Sequence, residues 1–224
     1  MNPPVSCVVV ELFAGPTAHG LPPHLLAQPG LRRHPPARRG HITCLIEHRP
    51  PGRIVLVDGR FDEVPAVGHR ELLDALAAGW HVTGLGSMGA LRAAELHEHG
   101  MRGYGRVFAH LLATGAPDDE VALLHTPAPE YRPLTEALVD LRAFAAHLSA
   151  AAVLSPAQAG AVIEDLAGRW FGERHLPAFL DTVGRLAGPA AAAAARARLP
   201  RLPAVRLKTG DLRTYLTERV WNAS

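Results

Sequence analysis

A serine between two glycines, where a strand is expected to give way to a helix, is the strongest candidate for chemistry in this sequence. Ser87 stands in the tetrapeptide Gly86-Ser87-Met88-Gly89. The glycines permit an unusual backbone and leave the hydroxyl unshielded, while the turn directs the amides of Met88 and Gly89 at the adjacent space, where they favour an anion. Such an arrangement is typical of a nucleophile elbow, although Leu85 replaces the first glycine of that motif.

The same glycines fit two other interpretations. Gly84, Gly86 and Gly89 match the G-x-G-x-x-G spacing of a dinucleotide-binding turn, which also requires a second strand that ends in an acid about 20 residues on. The corresponding region, residues 101–112, is expected to be helical or irregular. Alternatively, the glycines only let a helix pack closely on a strand, and Ser87 caps that helix. The residues alone leave all three interpretations open.

The second candidate is the only lysine of the chain. Of the 23 basic residues, 22 are arginines and one is Lys208. A lysine can act as a neutral amine, whereas arginine keeps its proton in proteins, so Lys208 would mark a place where a base is needed. The alternative is an ordinary surface charge, because most lysines are exposed.

Other polar residues near Ser87 are candidates for supporting roles. Asp58 follows an apolar run and either orients a group at the sheet edge or caps a turn. His69 either supports the reacting groups from behind or simply starts a predicted helix. Glu95 is expected to face inward and to pair with Arg92 or Lys208. The 13 histidines show no metal-binding spacing with a third ligand, so no metal is expected.

The elements that would position these residues predict an α/β protein. Residues 5–12, 54–57 and 81–85 read as strands, and residues 69–78 and 90–99 read as helices. This β-α-β-turn-α order favours parallel strands with a right-handed crossover. Further short elements are expected as a helix at 41–48 and a strand at 120–124, with an irregular, basic segment over 20–40.

The C-terminal part is expected to be mainly helical. Helices are predicted over 133–148, 155–172 and 175–187, in an alanine run at 190–195, and in a last helix capped by Thr209 or Asp211; Pro200 and Pro203 predict an extended stretch between them. We therefore expect one compact globular unit over 1–224. Residues 1–132 form an α/β part with a small, mainly parallel sheet and flanking helices, and residues 133–224 form a helical part that carries Lys208.

Composition narrows the function classes. The net charge of +2 does not by itself indicate nucleic-acid binding. No apolar run approaches the roughly 20 residues of a membrane span, and no signal peptide is recognisable. Cys7 and Cys44 form no metal or redox motif, so a cytoplasmic protein with free thiols is expected. Arg32-Arg33 and Arg38-Arg39 are either a solvated loop or a docking strip for an acidic peptide.

Beyond the turn at Ser87, the chain contains Gly15-Pro16-Thr17 after its first predicted strand, and Asp118-Asp119-Glu120-Val121-Ala122. Together with further stretches over residues 5–17 and 54–137, these resemble the TfuA-like family. The N-terminal strand that leads to Gly15-Pro16-Thr17 resembles the start of that family. The other matching stretches are Asp58-Gly59-Arg60-Phe61, Pro65-Ala66-Val67 with His69 and Glu71-Leu72-Leu73, Gly86-Ser87-Met88-Gly89-Ala90-Leu91-Arg92-Ala93-Ala94-Glu95-Leu96, Gly100-Met101-Arg102-Gly103 with Gly105, Asp118-Asp119-Glu120-Val121-Ala122, and Tyr131-Arg132-Pro133-Leu134-Thr135-Glu136-Ala137.

The resemblance implies a companion of a YcaO enzyme in the maturation of ribosomally made peptides, with an unusual fold. It implies hydrolysis of a thiocarboxylated, ubiquitin-like carrier of the ThiS type by a Ser–Lys pair, which releases sulfide for backbone thioamidation without a cofactor. Ser87 would be the serine and Lys208, as the only lysine, its base. The expected partners are the YcaO protein, the carrier and the precursor peptide.

Two rival functions stay open at this point. The first is a non-enzymatic adaptor that docks the YcaO, the carrier or the precursor peptide, with Ser87 only a helix cap. The second is a nucleotide-binding protein. In the enzyme interpretation Lys208 must be neutral, which nearby Arg206 and the N-terminus of the following helix would favour.

Overall fold

The computed structural model describes residues 9–60 and 64–222, and the chain divides into two compact units. Unit 1 comprises Met1–Thr114 and Asp211–Ser224, and unit 2 comprises Gly115–Gly210. The boundary expected near residue 132 falls inside unit 2, and the last residues of the chain belong to unit 1. Cys7, Phe61 and the first part of the predicted strand 5–12 lie outside the described residues, whereas Cys44 is an exposed free thiol.

Unit 1 is built on a sheet of five parallel strands in the order β2-β1-β3-β4-β5, which confirms the predicted α/β class. The strands are β1 (Val10–Phe13), β2 (Leu31–His34), β3 (Arg53–Leu56), β4 (His81–Leu85) and β5 (Arg102–Tyr104). The helices are α1 (Pro23–Leu26), α2 (His41–His48), α3 (His69–Ala77), α4 (Met88–Leu96) and α5 (Gly105–Thr114), with the end of α11 (Leu207–Thr217).

The central strands are apolar on both faces because helices cover both sides of a parallel sheet. Alternate residues of β3 enter two different hydrophobic clusters, with Ile54 and Leu56 in one and Val55 in the other. This double burial explains the continuous apolar run in the sequence. Gly79, with φ +86°, ends α3 in the left-handed region, as predicted from its position after the helix.

Two strands lie where the sequence predicts none. The basic segment 20–40, expected to be irregular, contains β2, in which Arg32 binds the buried Glu11 of β1 at 2.5 Å and His34 binds the same carboxylate at 2.6 Å. The expected loop or docking strip at Arg32-Arg33 is therefore part of an edge strand. The second is β5, which consists of only three residues and precedes α5 directly.

Unit 2 is helical, as expected for the C-terminal part. Its helices are α6 (Leu138–Ala150), α7 (Pro156–Ala167), α8 (Leu176–Ala187), α9 (Pro189–Arg198) and α10 (Leu202–Val205), followed by the first residues of α11. The apolar faces of α6, α7 and α8 meet in one core that includes Phe144, Val162 and Phe179. At the start of α7, Ser155 and Gln158 form a capping box.

Three local predictions in the C-terminal half are wrong. The expected strand 120–124 is a 3₁₀ turn at Asp118–Glu120 followed by irregular chain. Pro200 and Pro203 do not extend the chain, because they occupy first-turn positions of two short helical segments, where a missing N–H costs nothing. The last helix begins at Leu207, before both residues that were expected to cap it.

Candidate functional site

Strand β4 ends in a tight turn that places Ser87 at the start of α4. The Ser87 N–H donates to the Leu85 carbonyl at 2.8 Å, and Gly86 between them has φ +70°, so the turn requires glycine there. Ser87 occupies the N-cap position of α4, but its side chain makes no capping hydrogen bond. Ser87 is 6% exposed, so it is buried rather than unshielded, and capping does not explain its hydroxyl.

The other glycines of this segment let backbones approach each other. A Cβ at Gly89 would lie 1.8 Å from the Leu56 carbonyl oxygen, and one at Gly84 would lie 1.9 Å from the Gly89 oxygen. These contacts pack α4 directly on β3 and β4, as the close-packing interpretation predicts. The Gly89 N–H donates to the Val57 carbonyl at 3.0 Å. Gly89 is thus engaged in the fold, and of the two predicted oxyanion donors Met88 stays the candidate.

The dinucleotide interpretation lacks two of its parts. Gly84 lies inside β4 rather than after it, where its role is to admit the Gly89 backbone. The next strand, β5, ends at Tyr104 and is followed by Gly105, so this strand does not end in the acidic residue that such a site requires. The geometry of this turn does not favour a nucleotide.

Asp58 and Ser87 emerge at the same edge of the sheet, as predicted. Leu56 pairs with Gly84 in the register of β3 and β4, so both side chains follow the carboxyl ends of neighbouring strands. The Asp58 carboxylate is nevertheless occupied by the loop after β1. It accepts the N–H of Gly15 at 2.8 Å and both the N–H and the hydroxyl of Thr17, at 3.0 and 2.6 Å.

Asp58 therefore fixes the segment Gly15-Pro16-Thr17 at this edge, which is the turn-capping alternative. The role of Thr17 was not predicted from the sequence. The spacing of an Asp after one strand and a Gly-Pro-Thr turn after its neighbour is the signal that could have revealed the contact.

His69, Arg92 and Glu95 form a separate cluster in unit 1. His69 Nε2 lies 2.7 Å from Glu95 Oε2, and Arg92 binds the same oxygen at 2.5 Å and the Val67 carbonyl through Nε at 3.1 Å. Of the two predicted partners of Glu95, the structure shows Arg92. The His69 and Glu95 side chains are largely exposed, so the cluster joins α3 to α4 at the surface.

Lys208 lies in unit 2, in the first turn of α11, and is 2% exposed. Its Nζ donates to the Val121 carbonyl at 2.7 Å, and its backbone N–H donates to Asp140 Oδ1 at 3.1 Å. The alternative of a solvated surface charge is therefore wrong. A lysine at such a depth is unusual, and the chain has only this one.

The charges around Lys208 differ from those expected. Arg206, expected to disfavour a charged Lys208, is paired with Glu136 through two hydrogen bonds, one of them at 2.9 Å. Asp140, which the sequence analysis did not single out, is buried in α6 and contacts Lys208. Burial raises the pKa of Asp140 to about 6, and the positive charge of Lys208 opposes that rise. Asp140, which accepts the Lys208 backbone N–H, is thus a charged neighbour of Lys208 that the sequence did not predict.

The described residues hold no group of three or more His, Cys, Asp or Glu side chains that could bind a metal ion. Within the same residues, no helix is both long and apolar enough to cross a membrane. The candidate positions for chemistry are Ser87 with its turn in unit 1, and Lys208 with Asp140 in unit 2.

Comparison with known proteins identifies the family of the chain. No curated protein matches the chain. The family model described as TfuA-like protein matches residues 58–175, which is more than half of the sequence and includes Ser87 and Asp140. That family is associated with YcaO-type modification of peptides. By this match, the chain belongs to the TfuA-like protein family.

Proposed function

We propose that this protein is an accessory hydrolase of a YcaO enzyme, which releases sulfide from a thiocarboxylated ThiS-like carrier by means of Ser87 and Lys208. The observation that carries the proposal is the burial of Lys208. A chain with 22 arginines keeps its single lysine at a position that is 2% exposed. Burying an ammonium group is costly, and lysine differs from arginine in being able to lose its proton.

The first half of the proposed reaction forms an acyl-enzyme. The neutral Lys208 amine takes the proton of the Ser87 hydroxyl, and Oγ attacks the thiocarboxylate carbon at the C-terminus of the carrier. The Met88 amide, at the N-terminus of α4, stabilises the oxyanion. The C–S bond then breaks, and the Lys208 ammonium gives its proton to the departing sulfur, which leaves as hydrosulfide.

The second half regenerates the enzyme. Lys208 takes a proton from water, and the resulting hydroxide attacks the Ser87 ester. The Ser87 oxygen leaves with that proton, and the carrier departs as an ordinary carboxylic acid, which loses its own proton to the solvent. Water is the only co-reactant, so the scheme needs no cofactor. The sulfide is set free where the partner YcaO can use it for a backbone thioamide.

The scheme makes a geometric demand that a crystal structure of the protein with its carrier can test. The Lys208 amine and the Ser87 hydroxyl must come within about 2.6–3.2 Å of each other. A complex in which the carrier C-terminus is bound and these atoms stay apart would contradict the pair.

The decisive activity test compares hydroxyl removal at two serines. We expect Ser87→Ala to lower sulfide release from the thiocarboxylated carrier by about a thousandfold or more. The matched control is Ser149→Ala, which removes a hydroxyl from α6 in unit 2 and should leave the rate within about twofold. Lys208→Met should lose activity like Ser87→Ala, because methionine fills the volume but cannot take a proton.

The non-enzymatic adaptor is a second candidate with its own supporting observation. Gly84 and Gly89 are explained by close backbone packing, and the Gly89 amide is engaged by Val57, so part of the motif needs no catalytic role. Binding of Ser87→Ala to the YcaO and the carrier separates the two functions. Lost turnover with retained binding supports the enzyme, whereas unchanged thioamide formation with Ser87→Ala supports the adaptor.

A further inference from the structure

A buried carboxylate, Asp140, is bonded to the backbone of Lys208 and acts electrostatically on it. Asp140 is 3% exposed, and its Oδ1 accepts the Lys208 backbone N–H at 3.1 Å. This bond holds the acid at the first turn of α11, where the helix dipole favours a negative charge. The Lys208 amine is anchored in turn by the Val121 carbonyl at 2.7 Å. The acid and the amine are thus both buried and both fixed in unit 2.

The other charged groups around Asp140 are already paired. Arg206 binds Glu136, which precedes α6, and Arg142 binds Glu120 at 2.7 Å. The positive charges acting on Asp140 are those of Lys208 and Arg206, and the negative charge acting on it is that of Glu136. The charges of Arg206 and Glu136 largely offset each other, and arginine keeps its proton in proteins. Lys208 is therefore the neighbouring cation whose protonation Asp140 can change.

We propose that Asp140 is the positioning residue that controls the charge of Lys208, by holding the first turn of α11 and acting as the counter-ion of its ammonium group. In the proposed hydrolysis, this stabilises the ammonium that forms when Ser87 loses its proton. The role in catalysis rests on the proposed function. The pairing of Asp140 with Lys208 does not, and it can be tested separately.

The single lysine makes a direct test possible. Protein grown with ¹³C-labelled lysine, and carrying no lysine in its tag, gives one side-chain Cε signal, whose shift against pH reports the protonation of Lys208. Removing a negative charge makes the ammonium less favourable, so Asp140→Asn should lower the pH at which Lys208 loses its proton. A close carboxylate typically changes such a midpoint by about one to three pH units.

A matched variant separates charge from general disturbance. Asp165→Asn neutralises another acid of unit 2, in α7, which is bound by Arg169 at 2.6 Å and also by Arg185. It should leave the Lys208 midpoint within a few tenths of a pH unit. An unchanged midpoint in Asp140→Asn would overturn the proposal, because a merely structural Asp140 would alter stability without altering the titration of Lys208.

The wild-type protein supplies a test that does not depend on a variant folding. Burial raises the pKa of Asp140 to about 6, so the Lys208 Cε signal should show a second, smaller step near that pH as the carboxylate gains its proton. Absence of any step that coincides with the titration of the Asp140 carboxyl carbon would also overturn the pairing.

Enzyme kinetics then tests the catalytic part. The acid limb of kcat/KM for sulfide release should move to lower pH in Asp140→Asn by the same amount as the Lys208 midpoint. If wild-type protein releases no sulfide, the proposed function fails while the titration still decides the pairing. If the limb stays in place while the Lys208 midpoint moves, Asp140 controls the lysine but the lysine is not the base.

Discussion

The two units hold their candidate catalytic side chains in opposite ways. Around Ser87 the work is done by missing side chains, since Gly86 forms the turn and Gly89 brings α4 against the backbone of β3. Around Lys208 it is done by buried charged side chains, with Asp140 in contact with the lysine backbone. The glycines allow the backbones of α4 and β3 to touch, whereas the buried carboxylate fixes the first turn of α11 by a hydrogen bond.

The packing of unit 1 leaves no room for a side chain at Gly89. Its Cβ would lie 1.8 Å from the Leu56 carbonyl oxygen, a backbone atom that cannot turn away. We expect Gly89→Ala to lower the free energy of unfolding by about 4 kcal/mol or to prevent folding. Urea unfolding followed by circular dichroism measures this.

Gly160→Ala is the control for Gly89→Ala. Gly160 lies inside α7 of unit 2, and a Cβ there would meet nothing within 4 Å. Alanine should stabilise this helix by about 0.5–1 kcal/mol. A Gly89→Ala protein as stable as wild type would show that α4 can shift away from β3 and would remove the contrast between the units.

The strictest demand of unit 2 is a buried cation, Arg174. Its side chain is 0% exposed and donates to the carbonyls of Leu166 at 3.0 Å, Asp119 at 2.8 Å and Arg169 at 2.8 Å. Arg174→Met leaves these oxygens buried without their donor, so we expect a loss of about 3–4 kcal/mol in the free energy of unfolding.

The same chemical change at an exposed arginine should cost little. Arg185 is about half exposed and pairs with Asp165 at the surface, so Arg185→Met should change the free energy of unfolding by about 0.5 kcal/mol or less. Equal losses of unfolding free energy in the two variants would mean that the buried hydrogen bonds of Arg174 do not stabilise unit 2 more than a surface ion pair does.

The contrast between the units also explains what could be predicted. Ile54, Val55 and Leu56 form an unbroken apolar run because both faces of β3 are covered, and a run of that kind is visible in a single sequence. Gly86 and Gly89 are visible for a similar reason, since few residues can replace glycine where φ is positive or where backbones touch.

Buried charge leaves no such signature. Asp and Arg usually lie at the surface, so nothing in the sequence marks Asp140 and Arg174 as buried. Their burial depends on partners far along the chain, such as Lys208 and Asp119. The edge strand β2 was missed for a related reason, because its Arg32 is matched to Glu11 rather than to an apolar neighbour. Sequence reasoning therefore identified Lys208 by its rarity and not by its surroundings.

Stability against pH probes the charge of unit 2 directly. The folded state holds the pKa of Asp140 at about 6, above its ordinary value of 3.8, so the folded protein binds the proton more tightly than the unfolded chain. The stability from this group is present below pH 3.8 and is lost as pH rises through 6. Relative to wild type, Asp140→Asn should gain up to about 3 kcal/mol between pH 4 and pH 7.

Urea midpoints of both proteins at pH 4, 5, 6 and 7 measure this difference, and subtraction removes the titrations that the two proteins share. A difference that stays flat across this range would mean that Asp140 has an ordinary affinity for protons. For a buried carboxyl, that outcome would mean that the Lys208 charge and backbone N–H fully offset the cost of burial.

Asp211 of unit 1, like Asp140 of unit 2, accepts backbone N–H groups at the start of a helix. Asp211 accepts the N–H of Arg106 at 3.0 Å and of Val107 at 2.9 Å, so it caps α5 from another helix, and burial raises its pKa. Asp211→Ala should lower the free energy of unfolding by about 1–2 kcal/mol. Asp74→Ala, on the exposed face of α3 beside Arg70, should cost about 0.5 kcal/mol or less.

Asp211→Asn distinguishes the cap from the charge. An amide oxygen can still accept one of the two N–H groups, so this variant should recover part of what alanine loses at pH 7. Asp140→Asn differs in its expected readout, because its main effect is on the protonation of Lys208. If both asparagine variants changed only stability, the buried acids of the two units would have the same structural role, and Asp140 would not control the protonation of Lys208.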